Sequence, residues 1–267
     1  MIKVEKDFTN IPTILTQQSR EDAFDANVFA SSYCDVKNKY KVASVQKKLN
    51  EIYHLKCAYC EQKLLDAPKH IEHYRPKDIY YWLAYSWDNL LLCCGGCNSA
   101  KGNRFAILGT VQVYNNELFS NIHMLGNAYD EVEVPKIINP EKDDVLHLIS
   151  FDKNGRISSN DTRVQHTIEN ACKLNREELV QLRMGIITDF INRMNKHYLH
   201  FINDKNINIF LPDIENFSEN CKEKNEFYSF RYFIIHNVEI FFEDNVLLQK
   251  ILKGLFLKVW DREIESR

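Results

Sequence analysis

The sequence predicts an α+β protein, mainly helical, organised around one small core held by cysteines. Two Cys-x-x-Cys pairs, Cys57/Cys60 and Cys94/Cys97, are separated by 33 residues that include two short strand-like runs. Apolar residues at helical spacing fill long stretches before and after them. One strong turn signal, Asn154-Gly155 between apolar runs, adds a β-hairpin near 147–158.

In chain order, residues 1–50 read as an N-terminal arm, with a short helix at the patch Phe24, Val28, Phe29, followed by a longer helix. That second helix is expected from Val36 to Leu55, because Val36, Tyr40, Val45, Leu49, Ile52 and Leu55 recur at helical spacing. Residues 51–110 form the cysteine-bounded core. Within it Lys69–Tyr74 reads as a strand ended by Arg75-Pro76, Leu90–Cys93 as a second strand, and Cys97–Phe105 as a helix. Residues 111–267 read as a mostly helical C-terminal region. Gly109–Pro140 is irregular, and after the hairpin come helices at Val164–Leu174 and Asn175–Met194. The second opens on a capping box, Asn175 with Glu178 three residues later. The aromatic run Phe227–Phe242 is expected in the core, because the charges that would accompany stacked bases are nearly absent from it. A last helix, Asn245–Trp260, closes the chain.

Composition limits what the protein can be. With 267 residues and 45% hydrophobic content the chain can bury a substantial core. No run has the apolar length of a membrane span or of a signal peptide, so no membrane partner and a cytoplasmic location are expected. The formal charge is −3, which argues against a protein that grips nucleic acid over a broad basic surface. Residues 56–104 carry seven basic and five acidic side chains, hence +2, which leaves −5 for the remainder. The positive charge is modest and sits at the cysteine-bounded segment, as expected if a partner helps to hold the substrate.

Two Cys-x-x-Cys knuckles can offer four sulfurs to one tetrahedral zinc, and four thiolates leave the metal no open position for chemistry. Cys57, Cys60, Cys94 and Cys97 are therefore the expected ligands of a structural zinc. Cys93 is expected to be a small buried residue, because Cys94-Gly95-Gly96-Cys97 supplies the glycines of a tight knuckle.

The residues between and after the knuckles resemble the HNH nuclease family. The resemblance rests on Ile71-Glu72-His73-Tyr74-Arg75-Pro76-Lys77, on Trp87-Asp88-Asn89-Leu90, and on Cys97-Asn98-Ser99-Ala100-Lys101-Gly102. Fifteen residues separate His73 from Asn89 and eight separate Asn89 from Asn98. The family's core is a ββα-metal unit, so the resemblance implies a zinc-stabilised HNH nuclease core embedded in helical N- and C-terminal regions. It implies that His73 is the general base, that Asn89 orients the site, and that Asn98 with Glu72 holds a catalytic divalent ion, Mg or Mn. The chemistry is consistent with that reading: a neutral imidazole can take a proton from water, and a hard cation with oxygen ligands can neutralise phosphate charge. Taken alone, Asn98 reads as a helix cap and Asn89 as a turn residue. Arg75, Lys77, Lys101 and Arg104, clustered around the site, are expected to contact a nucleic-acid backbone.

The wider motif order, with Cys-Ala-Tyr-Cys-Glu before these motifs and Asn139-Pro140-Glu141 and the hairpin after them, resembles the PtuB family. These are the HNH components of Septu-type bacterial antiphage systems, also found beside some retrons. That resemblance implies a PtuA-like ABC-type ATPase as partner and a nucleic-acid substrate, DNA in preference to RNA. Two other functions fit parts of the sequence: a stand-alone HNH restriction-type nuclease, and a zinc module that only binds a partner.

Overall fold

A computed structural model describes residues 1 and 3–265, with side chains as far as Trp260. Among the described residues the chain forms two compact units: Met1–Leu148 with Ser159–Leu174, and Ile149–Ser158 with Asn175 onward. The core expected at 51–110 lies inside the first unit, which extends on both sides of it.

In the first unit, helix α1 (Gln18–Ala30) buries Ala23, Phe24 and Asn27, while Phe29 is exposed. Helix α2 (Ala43–Ile52) is shorter than its apolar periodicity predicted. Residues 31–42 are taken up by turns, including Asn38 at φ 47°, so Tyr40 reaches the core from a turn. Strands β1 (Lys69–His73) and β2 (Leu90–Cys94) pair antiparallel, with Ile71 opposite Leu92 and His73 opposite Leu90. Helix α3 (Gly95–Lys101) follows β2 directly. Its start differs from expectation: Gly95 and Gly96 form the first turn of the helix, and Cys94 is its N-cap.

Part of the stretch read as irregular is helix α4 (Gly126–Glu133). Its first amide, Gly126 N, donates to Asp88 Oδ2 at 2.7 Å, which places a carboxylate at the positive end of the helix. A side chain at Gly126 would place its Cβ 2.8 Å from that same oxygen, so any larger residue there would have to displace the Asp88 carboxylate. Helix α5 (Thr162–His166), capped by Asp161, runs into a π-helical turn at Thr167–Ala171 that buries Thr167, Ile168 and Ala171.

The second unit begins with the hairpin expected from Asn154-Gly155. Strands β3 (Ile149–Phe151) and β4 (Ile157–Ser159) pair around Gly155 at φ 72°. Helix α6 (Glu177–Asp204) runs ten residues past the expected end at Met194. Helices α7 (Leu211–Asn220), α8 (Tyr228–His236), α9 (Val238–Phe241) and α10 (Val246–Glu265) complete the unit. Its core gathers Phe190, Phe217 and Phe256, with Phe190 and Phe217 ring centroids 4.3 Å apart. Phe230, Ile234, Ile235, Val238, Phe241 and Phe242 are buried, so the aromatic run packs inside as predicted. No described helix is long and apolar enough to cross a membrane.

Candidate active site

Cys57 and Cys60 lie on a turn whose ends are tied by Cys57 N to Gln62 O at 3.0 Å and by Leu64 N to Leu55 O at 2.7 Å. Ala58 N donates to Leu92 O at 2.8 Å, which docks the turn on β2 next to Cys94. Cys94 Sγ in turn accepts from Cys97 N at 3.3 Å, so one sulfur caps α3 and fixes the second knuckle.

The four sulfurs lie within 4.8 Å of one another and all four residues are buried. Tetrahedral zinc with bonds of about 2.3 Å spaces its sulfurs about 3.8 Å apart, and Cys60 Sγ to Cys94 Sγ is 3.8 Å. This donor set fits a closed, structural zinc. Cys93 Sγ lies 3.6 Å from Cys57 Sγ but outside the group of four, and burial pushes its thiol above the usual range.

Adjacent side chains of a strand point to opposite faces, yet Glu72 and His73, at the end of β1, line one groove. The groove has a volume of about 230 Å³, and its lining includes His70, Glu72, His73, Lys77 and Asn98. His73 is almost fully buried, packed edge-on against Tyr40 with ring centroids 4.5 Å apart. Its Nε2 lies 3.0 Å from the carbonyl of Ala84. A carbonyl can only accept, so Nε2 carries the proton and Nδ1 is the ring's basic nitrogen. Burial, with the Ala84 contact opposing, pushes the His73 pKa down to about 3, so the imidazole is neutral throughout the neutral range.

Asn89 holds the chain that follows His73. Its Oδ1 accepts from Arg75 N at 2.7 Å, and its Nδ2 donates to Arg75 O at 3.0 Å and to Leu83 O at 3.2 Å. The amide thereby ties the exit of β1 to the segment carrying Ala84, the group that orients His73. Asn98 is no helix cap, since it sits inside α3 and lines the groove.

Glu72 is buried and paired with the fully buried Lys101, whose Nζ lies 2.8 Å from Glu72 Oε1 and 2.7 Å from the carbonyl of His73. Burial raises the Glu72 pKa, and the Lys101 charge only partly restores it. The four cysteines are the only cluster of three or more His, Cys, Asp or Glu side chains among the described residues that could hold a metal. A second ion would thus have few protein ligands. Glu72 and Asn98, with His70 lining the same groove, fit a hard cation that keeps most of its waters, and that cation would share Glu72 with the Lys101 ammonium.

Replacing Lys101 with Met keeps the bulk and leaves the Glu72 carboxylate without its counter-ion. The expected cost is about 3–5 kcal/mol. If Glu72 faces a divalent ion, millimolar magnesium should raise the melting temperature of Lys101→Met much more than that of the wild type. Equal responses of the two proteins in a thermal melt would separate Glu72 from the ion.

Two of the four expected backbone contacts change role. Arg75 is buried: its Nε donates to Glu133 Oε2 at 2.7 Å and its Nη2 to Asp130 Oδ1 at 2.6 Å, inside a ring of Tyr74, Tyr80, Phe105 and Tyr129. It fastens α4 to the end of β1. Lys101, fully enclosed, braces Glu72 and the β1 backbone. Neither presents its charge to a phosphate. Lys77 lines the groove, with its ammonium 2.9 Å from Asp78 and 4.3 Å from the centre of the Tyr33 ring, and Arg104 is exposed.

His70, Tyr40 and Lys41 also line the groove. His70 shares the face of Glu72, two residues on, a spacing visible in the sequence. Tyr40 and Lys41 arrive from the turn before α2 and carry no motif that would have marked them.

Residues 57–104 match the family described as HNH endonuclease. The chain is 32% identical over 167 residues to Septu protein PtuB of Bacillus mycoides (strain KBAB4), a match covering 56% of this chain and 53% of that one. It is 27% identical over 164 residues to Septu protein PtuA of the same strain, covering 55% of this chain and 21% of the relative. Over 56 residues it is 45% identical to Septu protein PtuB of Bacillus thuringiensis, covering 20% and 22%. The chain thus spans about half the length of the first of these relatives and about a fifth of each of the other two.

Proposed function

From the HNH endonuclease domain at residues 57–104, we propose that this chain is a metal-dependent nuclease that hydrolyses phosphodiester bonds, DNA in preference to RNA, as the effector of an antiphage defence complex. The observation that carries the proposal is the meeting of His73, Glu72 and Asn98 at one groove beside the four-cysteine cluster.

In this reading His73 Nδ1 takes the proton from an attacking water, while the Ala84 carbonyl holds Nε2–H and keeps the ring in the productive tautomer. Asn89 keeps the Ala84 segment and the end of β1 in register. Lys101 steadies Glu72 and the His73 carbonyl, and Asn98 offers its amide oxygen from α3. A divalent ion held by Glu72 and Asn98 would neutralise charge on the phosphate and on the leaving oxygen. Lys77 and Arg104 remain the candidate backbone contacts.

Names of the relatives place those proteins in Septu systems, and by that likeness we assign this chain a partner, a PtuA-like ABC-type ATPase. The net charge of −3 favours such a partner over a stand-alone nuclease, because 37 acidic side chains outweigh 34 basic ones and leave no net positive charge to hold nucleic acid. The test is cleavage of plasmid DNA and of total RNA with magnesium or manganese, by the chain alone and with a PtuA-like ABC-type ATPase. Plasmid cleavage that requires the ATPase is expected. Efficient cutting by the chain alone would favour a restriction-type nuclease, and no cutting under any condition would favour a zinc-binding interaction module.

A further inference from the structure

The second unit contains a cavity of about 410 Å³ among α6, α7 and the start of α8, within the roughly 300–1,000 Å³ of small-molecule sites. One wall is apolar, built from Ile186, Phe190 and Phe217. The polar side chains are unevenly matched. Arg193 is engaged by Asp189 at 3.1 Å and by Asp213 at 2.9 Å, and Asp213 also meets His197 at 2.6 Å. Arg231, also in the lining, has no ion-pair partner among the described residues, and its Nε has no hydrogen-bond acceptor. Its guanidinium lies 5.3 Å from the centre of the Phe217 ring. Burial lowers the Arg231 pKa, against the nearby Glu226 charge that raises it. The buried Nε of Arg231 is thus a donor without an acceptor, and Glu226, whose charge acts on the guanidinium, lines the same cavity.

Two backbone features mark the same place. Gly185 lines the cavity from the middle of α6, where glycine costs about 1 kcal/mol relative to alanine. A Cβ built there meets nothing within 4 Å, so no packing neighbour requires the glycine. Phe227, which caps α8 and lines the cavity, is held at φ 49° and ψ 38°, a strained conformation for a bulky residue.

We propose that this cavity binds a small aromatic organic anion, its flat body against Phe190 and Phe217 and its carboxylate or phosphate toward Arg231. A nucleoside monophosphate and a simple aromatic carboxylate share that chemistry, and titration of each against the full chain distinguishes them.

The test is calorimetric titration with adenosine monophosphate, guanosine monophosphate and phenylacetate, with adenosine as the uncharged control. Saturable binding of at least one anion below about 1 mM is expected, with adenosine at least tenfold weaker than its monophosphate if the nucleotides are the class bound. Gly185→Leu fills the cavity while improving helix propensity. It should abolish binding with the melting temperature unchanged or raised, so the loss cannot be assigned to unfolding. Arg231→Gln should weaken the bound anion at least tenfold. Absence of saturation by all three anions, or undiminished binding by Gly185→Leu, would overturn the proposal.

Discussion

Cys57→Ser should strip the protein of metal and unfold its first unit. Four buried thiol groups within 4.8 Å of one another become a stable arrangement when a cation offsets the charge of their thiolates. Structural zinc contributes about 10–16 kcal/mol in small metal-held domains, which is comparable to or larger than the whole stability of a typical domain, about 5–15 kcal/mol. The turn at Cys57, the start of α3 and the end of β2 all meet at those sulfurs, so losing one ligand releases three elements together. Metal analysis of the wild type should give about one zinc per chain, and Cys57→Ser should give a small fraction of that and lose its cooperative melt. Cys93→Ala is the matched control. Although Cys93 Sγ lies 3.6 Å from Cys57 Sγ, it should keep the zinc and cost only about 1 kcal/mol for the atom removed from the core. Zinc lost from Cys93→Ala and kept by Cys57→Ser would reverse the ligand assignment.

The parts of the site that were legible in the sequence are those set by short spacing. The knuckles are written in four residues each, and β1 and β2 end within one residue of their expected limits, because Arg75-Pro76 and Gly95-Gly96 stop the extended runs. The start of α3 is not legible in the sequence, because two glycines after a cysteine suit a knuckle turn and a first helical turn equally well, and the Cys94 Sγ contact with Cys97 N settles it as a helix. Helix α4 is illegible in the sequence for a different reason. Its N-terminal anchor is Asp88, 38 residues earlier in the chain, and no local cap marks it.

Long-range pairing also explains the two misplaced basic residues. Arg75 finds its carboxylates at Asp130 and Glu133, more than fifty residues away, and Lys101, at the end of α3, finds Glu72 on β1. From sequence alone a charge near a phosphate site looks like a clamp, and only the fold reveals that its charge is already compensated. The stretch Asp130-Glu131-Val132-Glu133 held half of that information, but nothing local connected it to Arg75. In the second unit the aromatic content was legible as core, whereas the cavity depends on how α6, α7 and the start of α8 come together, which no local pattern encodes.

His73 is the residue whose chemistry the proposed hydrolysis requires. The residue is buried, held by one carbonyl at Nε2 and packed against Tyr40, so a purely structural histidine would also fit its surroundings and only chemistry separates the two roles. Removing a general base costs about 10²–10⁴-fold in rate, whereas truncating a packed imidazole costs stability. Those two losses are measured separately. The direct measurement is the single-turnover rate of plasmid cleavage by wild type and His73→Ala under the activating conditions, with zinc content and melting temperature determined on the same preparations. A rate lower by a hundredfold or more, with zinc retained and the fold intact, is the predicted result. Cleavage by folded, zinc-loaded His73→Ala at the wild-type rate would contradict it.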